Sequence, residues 1–216
     1  MNQSIARDTT DEVTTSPSRP PRVTRRRAVT RARLLDAAFA EFAARGFGQT
    51  SIEGVCELAG YTRGAFYSNF ESLDELFLVL YEERSHSLAG QVAAALAIPH
   101  VGEPVESLIE RIVTALMIDR EWILIKSEFY LYAARNPAAA ASLRSQRENL
   151  LNVLARLLDD EVDRKGLPLS LKSPQRLAAA VMALHDGVTP QLLLDPDDGS
   201  FRTWLIDLIT ALIVRT

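Results

Sequence analysis

The apolar residues of this chain recur at helical intervals almost from end to end, with glycine, proline and short polar runs between the segments. Leu35, Ala38, Phe39 and Phe42 repeat every three or four positions and stop at Gly46, which is placed to end the first helix as a left-handed cap. Ile52, Val55 and Ala59 then mark the inner stripe of a second helix, with Thr50 and Glu53 at capping-box spacing and Gly60 at its end. Gly60-Tyr61 turns tightly into a short third helix that Thr62 caps, and Phe66 and Phe70, four positions apart, face the same buried side. Two short helices set at a sharp angle over a longer one make a helix-turn-helix. Ser72 and Glu75 repeat the capping-box spacing and start a longer helix through Leu76, Phe77 and Leu80.

Downstream the punctuation continues without any strand-like alternation or internal repeat. The segment 98–104 interrupts the fourth helix near Ile98, Pro137 separates two more, Lys165 to Pro168 ends a long one, and Asp195 to Ser200 divides the last pair. The pattern predicts an all-α protein. In the helix from about Asp119 to Arg135, Glu121, Glu128 and Arg135 share a solvent face, while Trp122, Ile125, Phe129 and Ala133 share the opposite one. Lys126 projects among the latter. An ammonium there must pair with an acid on another helix, snorkel, or meet an anionic ligand in a pocket lined by Trp122, Phe129 and Tyr130.

The last two helices carry more apolar surface than one chain needs. Phe201, Trp204, Leu205, Leu208 and Leu212 make one stripe and Ile206, Ile209 and Ile213 a second. In the preceding helix Leu184 is apolar, Gly187 permits close helix approach, and Pro190 predicts a bend because it lacks an N–H and clashes with the carbonyl of Asp186. His185 and Asp186, just before it, read as a capping or interface pair.

Charge changes this picture at one end. The whole chain carries a net charge of −4, yet residues 1–33 hold eight Arg against three acids, which leaves the remainder acidic. Residues 1–28 lack an apolar period and are expected to be a disordered basic arm, able to lie along phosphates or to remain a solvated tail. The arm adjoins the helix-turn-helix, and a contiguous basic patch matters more for phosphate contact than overall charge. Cys56, the single cysteine, lies among apolar positions and reads as packing. His86, His100 and His185 are too scattered for a metal site, no catalytic constellation or cofactor motif emerges, and neither a membrane span nor a signal peptide is legible, which suggests a cytoplasmic protein.

The residues Thr50-Ser51-Ile52, then Ala59 through Phe70, then Ser72 through Phe77, resemble the DNA-binding signature of the TetR family of bacterial transcription regulators. The resemblance covers about a quarter of the chain. It implies a helix-turn-helix domain over 29–75, followed by a larger effector-binding and dimerisation domain over 76–216. It also implies operator DNA, a small-molecule effector and a second copy of the chain as partners, with no cofactor. On the DNA side it singles out Arg33, Thr50, Ser51, Tyr61, Thr62, Arg63, Gly64, Tyr67, Ser68 and Asn69. On the effector side stand Trp122, Lys126, Phe129 and Tyr130. Since family members dimerise through their final two long helices, Leu184, Gly187, Trp204, Leu205, Leu208 and Leu212 are the implied interface. Arg63, Tyr67, Ser68 and Asn69 are expected on the outer surface of the third helix. The family favours a Lys after Ser72; this chain has Leu73. A helical ligand carrier without operator recognition is the alternative reading, and a helical enzyme a further one.

Overall fold

The computed structural model describes residues 22–98, 104–116, 119–165, 173–195 and 200–213, and among these every regular element is helical. Three helices build the amino-terminal unit: α1 (Arg22–Arg45), α2 (Ile52–Ala59) and α3 (Arg63–Tyr67). Six follow: α4 (Leu73–Ala97), α5 (Val105–Leu116), α6 (Arg120–Ala133), α7 (Pro137–Lys165), α8 (Pro174–Val188) and α9 (Ser200–Ile213). Among the described residues no helix is long and apolar enough to cross a membrane.

The arm expected to be disordered through residue 28 is helical from Arg22. Pro20-Pro21 is the last helix-breaking pair before Gly46, and the arginines that follow have high helix propensity. A tertiary hydrogen bond adds to this: Arg27 donates to the Ser68 carbonyl at 3.0 Å, pinning the start of α1 to the end of α3. Residues 1–21 lie outside the described residues.

Two caps differ from the sequence pattern. Ser51, not Thr50, caps α2: its Oγ accepts from the Gly54 amide at 3.1 Å, while Thr50 Oγ1 donates to the Gly46 carbonyl at 2.9 Å. The helix therefore starts one residue later, and Glu53 lies in its first turn. At α4 Ser72 caps as expected, accepting from the Glu75 amide at 3.1 Å, but the Glu75 carboxylate reaches past it to the Glu71 amide. Thr62 caps α3 and Gly60, left-handed at φ 72, ψ 32, ends α2, both as the spacing implies.

Gly46 has a positive φ of 83 but an extended ψ of 154, so it is not the left-handed helical cap expected of it. Instead it turns the chain into a single 3-10 turn, Phe47–Gln49, that inserts Phe47 into the core. Glycine is required there for a second reason. A Cβ on Gly46 would stand 2.5 Å from a Glu128 carboxylate oxygen, and that carboxylate accepts the Phe47 N–H at 2.6 Å.

Two buried clusters divide the molecule, and α4 runs through both. The first joins α1, α2, α3 and the start of α4 to Trp122, Ile125, Phe129 and Ala133 of α6 and to the start of α7. At its centre the Phe77 and Phe129 rings stack at 3.6 Å between centroids, and Phe47 meets Phe129 edge-on at 4.9 Å. Each fully buried phenylalanine contributes about 1.5–3 kcal/mol relative to exposure. The second cluster gathers the later part of α4 with α5, α7, α8 and α9 through Val92, Ile109, Leu154, Leu177 and Leu205. Thus α6 packs on the amino-terminal unit as part of its core, which positions the site described next. The disruption expected at Pro190 takes the form of the end of α8 at Val188 and a 3-10 turn, Thr189–Leu193.

Candidate DNA-reading surface and effector cavity

The exposed face of α3 follows from which residues the core takes. Phe66 and Phe70 are buried against the first cluster, leaving Thr62, Arg63, Gly64, Tyr67 and Ser68 outside. The caps set the chemistry of this surface. Ser51 and Thr62 use their hydroxyl oxygens to accept from backbone amides, so each hydroxyl hydrogen stays available to a phosphate oxygen. The Thr50 hydroxyl hydrogen, by contrast, is committed to Gly46. Ser68 donates to the Gly64 carbonyl at 2.8 Å. Asn69, expected outside, is half-buried with its amide folded back onto the Ala65 carbonyl, because the helix has ended and its last carbonyls need donors. Tyr61 is half-buried against the first cluster, and Leu73, at the position of the favoured Lys, packs there too.

Arg63 is not waiting free. Its guanidinium pairs with the Glu53 carboxylate at 2.6 Å, lies 5.9 Å over the Tyr67 ring, and reaches the Tyr67 hydroxyl at 3.4 Å. The hydrogen bond with Tyr67, and then the Glu53 charge, push its pKa further up. Nothing crowds Gly64 on its outer side. Arg33 is exposed on α1, as are Arg25, Arg26 and Arg27. Cys56 is buried, and burial pushes its thiol pKa up, which fits packing.

Between α4, α6, α7 and α8 lies a cavity of about 140 Å³, bounded among others by Tyr81, Arg84, Trp122, Lys126, Leu150, Met182 and Asp186. Lys126, 7% exposed, pairs with Asp186 at 2.9 Å, so the pairing and the pocket readings of this residue meet at one place. The other Asp186 oxygen takes Arg147, which also donates to the Tyr130 hydroxyl at 3.0 Å. His185 is buried, with Nε2 2.8 Å from the Leu116 carbonyl and Nδ1 3.4 Å from Asp186. Burial alone would raise the Asp186 pKa, but hydrogen bonds with His185, Lys126 and Arg147 and the charge of Lys126 hold it well below the usual carboxylate range.

Three expectations change here. Phe129 does not line the cavity; it is fully buried in the aromatic stack, since its position on α6 faces the amino-terminal unit. Tyr130 is engaged with Arg147 rather than forming a wall. His185 and Asp186 do not act only locally beside Pro190 but form the centre of an internal polar network, with His185 facing the carbonyl of Leu116 at the end of α5. Sequence reasoning missed Arg84, Asp119 and Arg147, which come from three different stretches of the chain and share no spacing. Asp119 caps α6 through the Trp122 amide and pairs with Arg84 at 2.7 Å. Arg84 in turn sits 4.6 Å above the Phe39 ring of α1.

On α9 the two stripes sort differently from the expectation. Phe201, Leu205 and Ile209 are buried in the chain's own core, so Leu205 is not surface. Trp204 and Leu208 remain 55% and 44% exposed. Leu184 and Leu212 are half-buried, and Gly187 is exposed with open space beyond it.

Comparison with known proteins agrees with this arrangement. Residues 34–80 match the family described as bacterial regulatory proteins, tetR family, and residues 102–214 match the BetI-type transcriptional repressor C-terminal domain. The chain is 28% identical over 187 residues to the HTH-type transcriptional regulator TtgR of Pseudomonas putida, covering 82% of this chain and 88% of that protein. It is 24% identical to the HTH-type transcriptional regulator AcrR of Shigella flexneri, over 85% of this chain and 87% of that one. Its fold is similar to the crystal structure of a TetR-family regulator from Rhodococcus sp., with a TM-score of 0.71 and 20% identity over 87% of this chain and all of that one. With an amino-terminal helix-turn-helix and a carboxy-terminal regulatory domain both matched in order, the chain belongs to the tetR family of bacterial regulatory proteins, transcription regulators and not enzymes.

Proposed function

We propose that this regulator is a homodimeric repressor that leaves a palindromic operator when a small molecule enters the cavity between α4, α6, α7 and α8. The observation that carries this reading is that the cavity and the DNA-binding unit share walls. Trp122 lines the cavity and stacks on Phe77 at 5.8 Å, while Arg84 lines it and covers Phe39 of α1. On the same helix as Trp122, Glu128 holds the Phe47 amide behind α1. A ligand that displaces Arg84 therefore acts on α1 directly, and one that displaces Trp122 acts on α4 through Phe77. It shifts the equilibrium only by its difference in affinity between the two arrangements. Two α3 helices enter successive major grooves while the dimer holds them about 34 Å apart, and a change in that spacing releases the DNA. Fluorescence anisotropy on DNA flanking the gene tests the reading: a palindromic site bound specifically and released by a small molecule supports it, whereas equal affinity for scrambled DNA overturns it.

The exposed Trp204 and Leu208 of α9, together with Gly187 and Leu184 of the adjoining α8, supply the dimer face. Large apolar side chains grouped on a surface mark an interaction site, and an exposed glycine lets a partner helix approach. Leu208→Glu shifts the monomer–dimer midpoint to at least about tenfold higher concentration, as burial of one unpaired carboxylate requires. Sedimentation velocity measures this; an unchanged midpoint places the interface elsewhere.

The arm adds affinity without sequence preference. Deleting residues 1–21 removes Arg7 and Arg19 and leaves α1 whole. The slope of log affinity against log salt then falls by about 0.9 for each phosphate that is no longer neutralised. An unaltered slope in a salt titration makes the arm a bystander.

A further inference from the structure

The permanent charges that line the cavity, Arg84 and Lys126 against Asp119 and Asp186, balance only if Asp186 is left to Lys126 alone. It is not: Arg147, outside the lining, takes the other Asp186 oxygen, so three cations meet two carboxylates in and behind this wall. Arg84 and Asp119 pair one to one, but Asp186 alone serves both Lys126 and Arg147. His185 faces a carbonyl with one ring nitrogen and Asp186 with the other, and brings no negative charge. The Arg147 side chain is 33% exposed and reaches solvent, whereas Lys126 is buried and has only its share of Asp186. The Lys126 side chain is more than nine-tenths buried and lines the void. It makes one hydrogen bond among the described residues, to Asp186, although an ammonium carries three donors. A charge so buried and so incompletely answered is costly.

The rest of the wall describes what would answer it. The volume of about 140 Å³ is close to that of an engineered cavity of about 150 Å³ that takes one benzene. Trp122, Leu88, Leu150 and Met182 give an apolar lining, with Ser85 and Gln91 at its polar side. We infer that the cavity takes a small organic monoanion, a carboxylate on a body of about one ring, whose oxygens accept the spare N–H donors of Lys126. This rests on the assignment of the cavity as the effector site. A cationic ligand would add to the excess charge, and a neutral one would leave it in place. An inorganic anion such as chloride supplies the same charge without the apolar body, and the test separates the two.

The test uses the full-length protein in chloride-free buffer, with benzoate and hexanoate as probes and benzyl alcohol and benzylamine as uncharged and cationic counterparts of benzoate. Calorimetry should show at least one carboxylate bound about tenfold or more tighter than benzyl alcohol, and no heat from benzylamine. Lys126→Met should abolish that preference while the variant still binds DNA. If the variant does not fold, the ligand series on the wild-type protein decides. The inference is overturned if neither carboxylate binds, if benzyl alcohol binds as tightly, or if the preference survives in Lys126→Met. It is also overturned if chloride alone raises the Tm as far as the carboxylates and blocks their binding, since the site is then a structural ion site. A carboxylate that binds through Lys126 without loosening the DNA complex upholds the anion site and defeats the effector assignment instead.

Discussion

Replacing Asp186 with asparagine destabilises the free protein by about 3–5 kcal/mol, the cost of leaving buried cations without their carboxylate. Lys126 and Arg147 both depend on this residue, and Lys126 has no other acid within reach among the described residues. Lys126→Met costs less, because Arg147 still answers Asp186. The double variant Lys126→Met/Asp186→Asn therefore recovers part of the loss, and the size of that recovery is the coupling between the two side chains. Urea unfolding without DNA or ligand measures all three; an Asp186→Asn protein within about 1 kcal/mol of wild type would show that water reaches the network and screens it. The pH dependence carries a second sign. The folded pKa of Asp186 is depressed, so its contribution is fully present above the unfolded value of about 3.9 and is lost as pH falls through the lower folded value. In Asp186→Asn that part of the acid sensitivity is missing.

Arg63→Ala weakens operator binding by roughly ten- to a hundredfold and relaxes the preference at one base pair, as the loss of a bidentate guanine contact does. Tyr67→Phe weakens all sequences more evenly, because a phenol reaches phosphate rather than a base edge. The Glu53 pair shapes the first of these. In the free protein the guanidinium is already held by a carboxylate, so DNA must displace Glu53 before Arg63 can read it. A guanine edge offers two acceptors in the plane of the fork, whereas a stray phosphate gains less over the carboxylate it replaces. Glu53→Gln therefore raises affinity for scrambled DNA more than for operator. Anisotropy titrations with both DNAs decide the role: an Arg63→Ala loss that is equal on the two makes the residue a phosphate contact.

The helical path of the chain was legible because local rules agreed with one another. Gly60, Thr62 and Ser72 each terminate or cap a helix for reasons contained within four residues, and the structure uses them in those roles. The Thr50 cap failed by one position because two adjacent hydroxyl residues both satisfy the local rule. Ser51 took the cap once the Gly46 carbonyl, brought close by the positive-φ turn, claimed the Thr50 hydroxyl. Likewise the first turns of α1 gain a hydrogen bond from Ser68, forty-one residues away from Arg27. The proline pair and the arginines after it are local signals, but the support from Ser68 is not.

The sequence by itself determined the helices, the helix-turn-helix and the outer face of α3 apart from Asn69, because each rests on a period or a cap that a short window contains. It also marked Lys126 as a charge on an apolar face, since that anomaly is visible against its own helix. Only the tertiary structure decided what Lys126 meets. Asp186 lies sixty residues away, Arg147 on a third helix, and periodicity records which side of a helix is buried but not which neighbour buries it. The same limit separated Phe129 from the cavity and Leu205 from the surface. Each sits on an apolar stripe wide enough to face two partners, and the packing of α6 against α1 and of α9 against α5 chose between them.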